Sequence, residues 1–416
     1  MNTYVIAVSI AIPIFMLLIG IEAFAAYRKG VKINRSADMI SSLSSGIANT
    51  TRDGIKFGLV LISYTWLFDH ISIISIEPLW LVVMIAFIAK DFAGYWIHRL
   101  NHRVNIFWNR HIIHHSSEEY NLSCALRQSI SNNIRFGAVF LFPAALLGIP
   151  PYLFAIISPI HLFMQFWYHT RMIDKIGWLE NILVTPSHHR VHHAINPEYI
   201  DKNYSQIFII WDKLFGTFQP EEQSIPPIYG ILRPANTWNP VIINFMHIWQ
   251  LMKDSYRTKN IWDKFRIWLM PTGWRPEDMQ QQFPLKENEN PYSQKKYSPN
   301  NSSSKIGWVW LQFSFSGVLM FLIFYTMENF PFLIISVTVG VLFLHIMSYA
   351  FLLDNSRLAI LMEILKFIFV CVLLFLLNQG GLLTSNVIQF IIIIFLIISM
   401  GINLYFSQIK LIQQPV

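Results

Sequence analysis

Cysteine and charged residues are both scarce in this sequence. The chain has 2 cysteines in 416 residues, too few for a disulfide framework or a thiolate metal site. Charged residues make up 13% of it, whereas soluble proteins carry about 25%. These shortages exclude a disordered chain, a secreted disulfide scaffold and an ordinary soluble enzyme. Because hydrophobic residues make up 54% of the chain, the composition indicates an integral membrane protein.

Long apolar stretches occupy much of the chain. A membrane-spanning helix needs about 20 mostly apolar residues. We identify nine such stretches, at residues 4–27, 56–76, 78–97, 134–149, 150–169, 306–326, 330–353, 358–377 and 385–406. The fourth and fifth are short and meet at Pro150 and Pro151, which predicts a helical hairpin. We therefore expect an all-α membrane protein with about nine transmembrane helices.

The basic residues predict how the chain is oriented. Arg28, Lys29, Lys32, Arg35, Arg52 and Lys56 follow the first stretch, whereas the turns at 70–77, 147–151, 327–329 and 378–384 contain no Lys or Arg. Loops rich in Lys and Arg stay in the cytoplasm. This distribution predicts an external N-terminus and a cytoplasmic C-terminus, in a bacterial inner membrane or an equivalent one. It also accounts for the net charge of +7, and no basic recognition helix indicates a nucleic-acid partner.

Histidine is concentrated in one part of the sequence. Eleven of the 14 histidines lie between residues 98 and 193. They form one HxxxH pattern and two HxxHH patterns, at His98 and His102, at His111, His114 and His115, and at His189, His192 and His193. Residues three and four positions apart share a face of a helix, and neutral imidazole binds iron, zinc, copper and nickel. Each pattern is therefore a candidate metal-binding group.

The number and position of these imidazoles favour a site for two metal ions. Eight or nine nitrogen ligands exceed the four of a zinc ion, and each group, like His169, follows a predicted span on the predicted cytoplasmic side. A nitrogen-only site at a membrane surface indicates iron and dioxygen chemistry, although the spacing is compatible with other metals. Metalloprotease chemistry is disfavoured because the first pattern lacks the glutamate of HExxH.

The sequence around these histidines resembles the fatty acid hydroxylase and sterol desaturase superfamily of membrane di-iron enzymes, and most closely its alkylglycerol monooxygenase branch. The resemblance rests on residues 114–128 (HHSSEEYNLSCALRQ), 165–170 (QFWYHT), 186–193 (PSHHRVHH), 199–204 (YIDKNY) and 211–218 (WDKLFGTF). It is strong over residues 50–220 and weaker around Asp354 and Glu363. Arg171 and Ala194 depart from the usual pattern, but neither change removes a ligand.

The resemblance implies a ligand set for two iron ions. Its members are His98, His102, His111, His114, His115, His169, His189, His192 and His193. His161 is either a further ligand or part of the cavity lining, and His188 is expected either beside the ligands or at the surface. We identify Asp91, Glu118 and Asp201 as candidate catalytic carboxylates. Glu118 and Asp201 are close to ligands that they could orient, and Asp91 lies in a predicted span, where a charge usually faces a polar cavity.

The resemblance also implies an activity, namely hydroxylation of a lipid C–H bond with dioxygen. In the ether-lipid branch the carbon next to the ether oxygen is attacked, and the product collapses to an aldehyde and a glycerol derivative. The sequence shows no fused electron-carrier motif, so we expect an external electron donor, which in that branch is a tetrahydropterin such as tetrahydrobiopterin. A sterol, fatty-acyl or carotenoid hydroxylase or desaturase is the alternative. A metal transporter or a cytochrome would carry its histidines inside the spans.

We predict four parts from this distribution of features. Residues 1–50 form an N-terminal span and basic loop, 51–220 a fatty acid hydroxylase-like catalytic domain, 221–305 an amphipathic region and linker, and 306–416 a C-terminal four-helix membrane region. Residues 239–268 mix Trp with Lys and Arg. This composition is typical of helices in the headgroup layer, but a helix packed on the catalytic domain is also compatible with it.

Overall fold

The computed structural model describes residues 3–55, 59–132, 134–382 and 385–412. The α-helices are α1 (Thr3–Arg28), α2 (Ser36–Gly54), α3 (Tyr64–Ile71), α4 (Leu79–Arg103), α5 (Asn105–Trp108), α6 (Ile112–His115), α7 (Phe142–Leu146), α8 (Pro151–Phe163), α9 (Pro186–His192), α10 (Ile210–Leu214), α11 (Pro240–Arg257), α12 (Ile261–Arg266), α13 (Glu277–Gln282), α14 (Ser303–Thr326), α15 (Phe332–Leu353), α16 (Leu358–Gln379) and α17 (Asn386–Ile412). Short 3₁₀ turns lie at Cys124–Leu126, Gly137–Leu141, Gly177–Asn181 and Pro291–Ser293. Within the described ranges, the strands are β1 (Leu59–Val60) and β2 (Ile134–Arg135), which pair in parallel.

Six helices of the described residues are long and apolar enough to cross a membrane, namely α1, α4, α14, α15, α16 and α17. Each contains or overlaps one of the nine predicted stretches. The all-α membrane architecture is therefore confirmed, and the chain is an integral membrane protein. The predicted number of nine spanning helices is not confirmed.

The other three predicted stretches form helices that are too short to span a bilayer. In the described part of residues 56–76, which excludes 56–58, the helix is α3, which has 8 residues and follows β1. Residues 134–149 divide into β2, a 3₁₀ turn and the 5-residue α7, and α8 has 13 residues. Gly148 explains the break between α7 and α8, because its φ of +69° favours glycine and the carbonyl of Ile74 occupies the place of a side chain.

Four of the six candidate spans, α14 to α17, lie at the end of the chain and are called here the C-terminal membrane region, in which α15 packs between α14 and α16. Its core includes Leu342, Ile346 and Tyr349, all at most 1% exposed. Helix α2 packs against α14 and α15. Its buried face is polar and includes four serines, Ser41, Ser42, Ser44 and Ser45. The Ser44 hydroxyl contacts the Tyr349 hydroxyl at 2.6 Å. Helix α2 therefore joins the C-terminal membrane region to the histidine-rich part of the chain.

Candidate metal centre

Short helices and one long helix present the predicted histidine ligands. His98 and His102 lie on the last turns of α4, His114 and His115 on α6, and His189 and His192 on α9. His111 and His193 flank α6 and α9. The i, i+3 and i, i+4 spacings thus act as expected, because they place the histidines of each pattern on one face of a helix.

All nine predicted ligands come together, in two groups. The first group contains His98, His102, His111, His115 and His192, and the second contains His114, His169, His189 and His193. Within each group, one ring nitrogen from every residue lies within 4.8 Å of the corresponding nitrogens of the others. Eight of the nine side chains are buried, and His111 is half-buried. The fold therefore brings together histidines that are up to 94 residues apart in the sequence, as His98 and His192 are.

Backbone carbonyls fix the orientation of four of these rings. A carbonyl oxygen can only accept a hydrogen bond, so the ring nitrogen that faces it must carry the hydrogen. The Nδ1 atoms lie 2.7 Å (His98 to Tyr204), 3.2 Å (His114 to Arg127), 3.0 Å (His169 to Gln165) and 3.0 Å (His192 to Lys202) from those carbonyl oxygens. Each ring therefore presents the lone pair of its Nε2 to the centre of its group.

Burial keeps the imidazoles neutral. It lowers the pKa of His114 to about 4. Burial, reinforced by neighbouring imidazoles, lowers the pKa of six more histidines well below the ordinary value of 6.5; these are His111, His115, His169, His189, His192 and His193. A neutral imidazole is the form that binds a metal ion.

The distances between the nitrogens fit metal coordination. The Nε2 atom of His98 lies 2.9 Å from that of His111 in the first group, and the Nε2 atoms of His169 and His189 are 2.9 Å apart in the second. When two nitrogens bind the same metal ion at about 2.1 Å and at right angles to each other, the nitrogens are about 3 Å apart. Four further buried ring nitrogens have no hydrogen-bond partner in the described part of the chain; they are Nε2 of His102, His115 and His192 and Nδ1 of His189. Both groups therefore fit a metal ion.

The loop after α9 positions two of the carbonyls. Asp201 and Asn203 have φ angles of 61° and 55°, in the left-handed region that Asp and Asn tolerate better than most residues. The buried Asp212 carboxylate accepts hydrogen bonds from the backbone N–H groups of Tyr204 and Ser205, both at 2.8 Å. The loop is therefore held with the Lys202 and Tyr204 carbonyls facing His192 and His98.

A buried ion pair supports the segment that carries His114. Arg127 donates to the Asp38 carboxylate at 2.7 Å, and both side chains are 1% exposed. Arg127 also donates to the hydroxyls of Ser42 on α2 and Ser116 just after α6. Our sequence analysis did not identify Asp38, because 89 residues separate it from Arg127 and no local pattern marks it.

The three predicted carboxylates bind other partners than the histidine ligands. Asp91 accepts hydrogen bonds from the Ile207 and Phe208 N–H groups and from the Trp211 indole, at 2.8 to 3.0 Å. It also lies 2.9 Å from the Nε2 atom of His161.

Glu118 and Asp201 form hydrogen bonds and ion pairs with other parts of the chain. Glu118 accepts from the Tyr297 N–H at 2.7 Å and lies 3.5 Å from Arg35, and burial raises its pKa. Asp201 forms an exposed ion pair with Arg103. Among the described residues, the carbonyls rather than these carboxylates are the hydrogen-bond partners of the metal-facing histidines.

The remaining histidines of the cluster lie outside both groups. His161 contacts Asp91 and Gln165. His188 is 3% exposed and packs on Phe218. Both residues are buried, so the expected surface position of His188 is wrong, and neither residue shares a group with the predicted ligands.

Comparison with known proteins agrees with the geometry. Residues 83–217 match the fatty acid hydroxylase family. The human alkylglycerol monooxygenase is 34% identical over 376 residues, which cover 89% of this chain and 82% of that protein. The Xenopus tropicalis alkylglycerol monooxygenase is 32% identical over 390 residues, covering 92% and 84%. The ornithine lipid hydroxylase OlsE of Rhizobium tropici is 30% identical over 141 residues, covering 34% and 43%. No solved structure matches the chain significantly.

Proposed function

Because this chain belongs to the alkylglycerol monooxygenase family, it is a membrane lipid monooxygenase, an oxygen-dependent oxidoreductase, and we propose that its substrate is an alkylglycerol ether lipid. The observation that carries this substrate assignment is the similarity to proteins named alkylglycerol monooxygenase over more than four-fifths of their length. The two histidine groups are the site at which we place the reaction.

We propose that each histidine group holds one iron ion. Iron in such a site supplies the activation of dioxygen that is needed to oxidise an unactivated C–H bond. The chain holds the nitrogen donors in place with the carbonyls of Tyr204, Arg127, Gln165 and Lys202. It also buries the donors, so bulk water has little access to them.

The proposed reaction leads to cleavage of the ether bond. One atom of dioxygen becomes a hydroxyl group on the carbon next to the ether oxygen, and the other becomes water with two electrons and two protons from an external donor. The resulting hemiacetal then collapses to a fatty aldehyde and a free glycerol hydroxyl. We propose tetrahydrobiopterin or a related tetrahydropterin as the donor. The first histidine group lies at the end of the spanning helix α4, so a lipid could reach it from the bilayer.

We propose positioning roles for the three carboxylates that we identified as candidate catalytic residues. Asp91 holds residues 207–208 beside α4, Glu118 holds Tyr297, and Asp201 shapes the loop that supplies the Lys202 carbonyl. In this assignment the carboxylates act through the groups that they orient rather than on the substrate.

We further propose that the metal centre faces the cytoplasm, in a bacterial inner membrane or an equivalent one. Arg35 contacts Glu118, and Arg52 donates to the Ser129 carbonyl. We therefore place both arginines on the same side of the membrane as the histidines. The sequence between α14 and α15 and that between α16 and α17, at the other ends of the C-terminal helices, contain no Lys or Arg. This asymmetry follows the positive-inside rule. The four predicted parts of the chain remain our proposal for its domain organisation.

The test is a product assay with the purified, iron-loaded protein in lipid nanodiscs. We expect release of a fatty aldehyde from an alkylglycerol in the presence of oxygen and tetrahydrobiopterin, detected by mass spectrometry. Omission of the pterin and the variant His193→Ala are the controls, and both should abolish aldehyde release. Hydroxylation of a different lipid without aldehyde release would contradict the ether-lipid assignment, and membrane lipid profiles with and without the protein would then identify the substrate.

A further inference from the structure

Helix α11 has its apolar face on the outside. Its exposed apolar residues, Ile242, Phe245, Trp249, Met252 and Tyr256, are spaced by three or four positions and are 40 to 85% exposed. This spacing places them on a single face of the helix. A helix at the surface of a water-soluble protein normally directs such a face into the core.

The inner face of α11 carries polar side chains that are hydrogen-bonded within the protein, beside the buried Ile243 and Leu251. The Asn244 side chain accepts from the Ile130 N–H at 2.9 Å, and the Nε2 atom of His247 contacts the Asn105 carbonyl at 2.9 Å. Asp254 forms a buried ion pair with Arg275 at 2.6 Å. The helix therefore cannot turn its apolar face inward without leaving these polar groups buried and unpaired, which is costly.

Helix α12, which packs against α11, and the segment just after it also expose apolar side chains. Ile261, Trp262, Phe265 and Leu269 are 67 to 74% exposed, and their spacing also places them along one side of the chain. Together with the five residues of α11 they form what we call the apolar platform. A large exposed apolar surface marks an interaction site.

The platform lies level with the end of a spanning helix. Helix α4 ends at Arg103, and the chain directly after it is bonded to the segment that follows α12. The Asn105 and Ile106 N–H groups donate to the Met270 and Trp268 carbonyls, both at 3.0 Å, and the Thr272 N–H donates to the Arg103 carbonyl at 3.3 Å. The platform is therefore placed where α4 leaves the membrane, next to the surface of the bilayer.

Basic residues border the platform. Arg257, the last residue of α11, and Lys259 are exposed, and Arg266, which pairs with the buried Asp263 at 2.6 Å, is 53% exposed. Trp and Tyr side chains prefer the headgroup layer, and Lys and Arg are attracted to lipid phosphates there. The charge of the border is therefore complementary to a lipid surface.

We propose that the apolar platform of α11 and α12 is inserted in the headgroup layer of the bilayer that α4 spans. The helices then lie along the membrane surface, with the platform toward the acyl chains. Because α11 packs against α5 and α6, this contact supports the segment that carries His111, His114 and His115. The proposal is independent of the identity of the lipid substrate.

Spin-label immersion depth tests this placement. The variant Cys371→Ala removes the exposed cysteine and leaves Cys124, which is buried. In this background, Phe265→Cys tests the platform, Val318→Cys on the exposed side of α14 is the acyl-chain reference, and Glu289→Cys in the exposed polar segment is the water reference. Each labelled protein is placed in nanodiscs of phosphatidylcholine and phosphatidylglycerol. Power saturation then compares how often each spin label collides with oxygen and with a water-soluble nickel chelate. The variant Tyr256→Cys repeats the test on α11.

The expected result is a depth at Phe265 and at Tyr256 that lies between those of the two references. A label at Phe265 as accessible to the nickel chelate as that at Glu289 would overturn the proposal, as would a depth equal to that at Val318. A label shielded from both reagents and coupled to a second label would instead indicate that another copy of the chain covers the platform. Unchanged metal content in each variant shows that the protein is folded.

Discussion

The Nε2 atoms of His114 and His169 lie 3.2 Å apart, although each ring has its Nδ1 atom against a backbone carbonyl. Because both hydrogens are on Nδ1, two lone pairs face each other in a buried site. Such an arrangement is repulsive unless a cation lies between the rings. This relationship is the clearest sign in the structure that the histidines are built to hold a metal ion rather than to bond one another.

The first prediction is that each histidine group binds its own ion. We expect His115→Ala to impair the first group and His189→Ala to impair the second, so that each variant loses about half of the bound iron and all of the turnover. Iron per chain is measured by plasma mass spectrometry and activity by aldehyde release.

The neighbouring variant His188→Ala is the matched control, because His188 lies next to a ligand but outside both groups. It should keep full metal content. Wild-type turnover in both His115→Ala and His189→Ala would refute the two-metal proposal.

The clustering of the histidines was predictable because helical periodicity is local. The patterns around His98, His114 and His192 place their side chains on helix faces whatever the rest of the fold does. The carbonyl partners were not predictable in the same way, since every residue has a carbonyl and its direction depends on tertiary structure. The preference of Asp201 and Asn203 for left-handed backbone is the only local signal that we find for them in the described residues.

The number of spanning helices was harder to predict from the sequence than the histidine clusters. Mean hydropathy measures how apolar a stretch is, but not whether its helix is continuous. Residues 134–169 are apolar throughout most of their length, yet Gly148 and the adjacent prolines interrupt them, and α8 ends at Phe163. The turn leaves short helices that pack beside α4 rather than two complete spans.

The second prediction concerns Asp212 and the loop that it holds. Its two oxygens accept from the Tyr204 and Ser205 N–H groups. In Asp212→Asn one oxygen becomes an N–H₂ group, which cannot accept. The loop carbonyls that orient His98 and His192 should then lose their alignment, and we expect iron affinity to fall about 10- to 100-fold.

Iron affinity of this variant is measured by competition with a chelator, with Asp201→Asn as the control. Asn also tolerates the left-handed backbone at position 201, so the control should retain its affinity. An equal loss in both variants would contradict a specific role for Asp212.

The third prediction is that the Asp38–Arg127 ion pair stabilises the fold. Asp38→Asn leaves the Arg127 charge buried without its partner, so we expect a loss of about 3–5 kcal/mol in the free energy of unfolding. Asp201→Asn breaks an exposed pair with Arg103 and should cost at most about 1 kcal/mol. Thermal unfolding in detergent, followed by tryptophan fluorescence, measures both. A smaller loss for Asp38→Asn than for Asp201→Asn would show that the buried pair is not needed.

The fourth prediction concerns a charged network inside the C-terminal membrane region. Lys366 and Glu363 form an ion pair at 2.7 Å, each side chain 2% exposed. The Ser348 hydroxyl and the Asn403 amide also donate to Glu363, at 2.6 and 2.9 Å. These contacts join α15, α16 and α17 through the buried pair.

Removing one charge from this pair leaves the other unpaired in a span, which is expensive. We therefore expect Glu363→Gln and Lys366→Met each to lower the unfolding temperature, and the double variant to lower it by less than the sum of the two. Iron content should stay unchanged in all three, because neither residue belongs to a histidine group. Strictly additive losses would mean that the two charges do not interact. A loss of iron would mean that the network acts on the metal centre through α2 and the Ser44–Tyr349 contact.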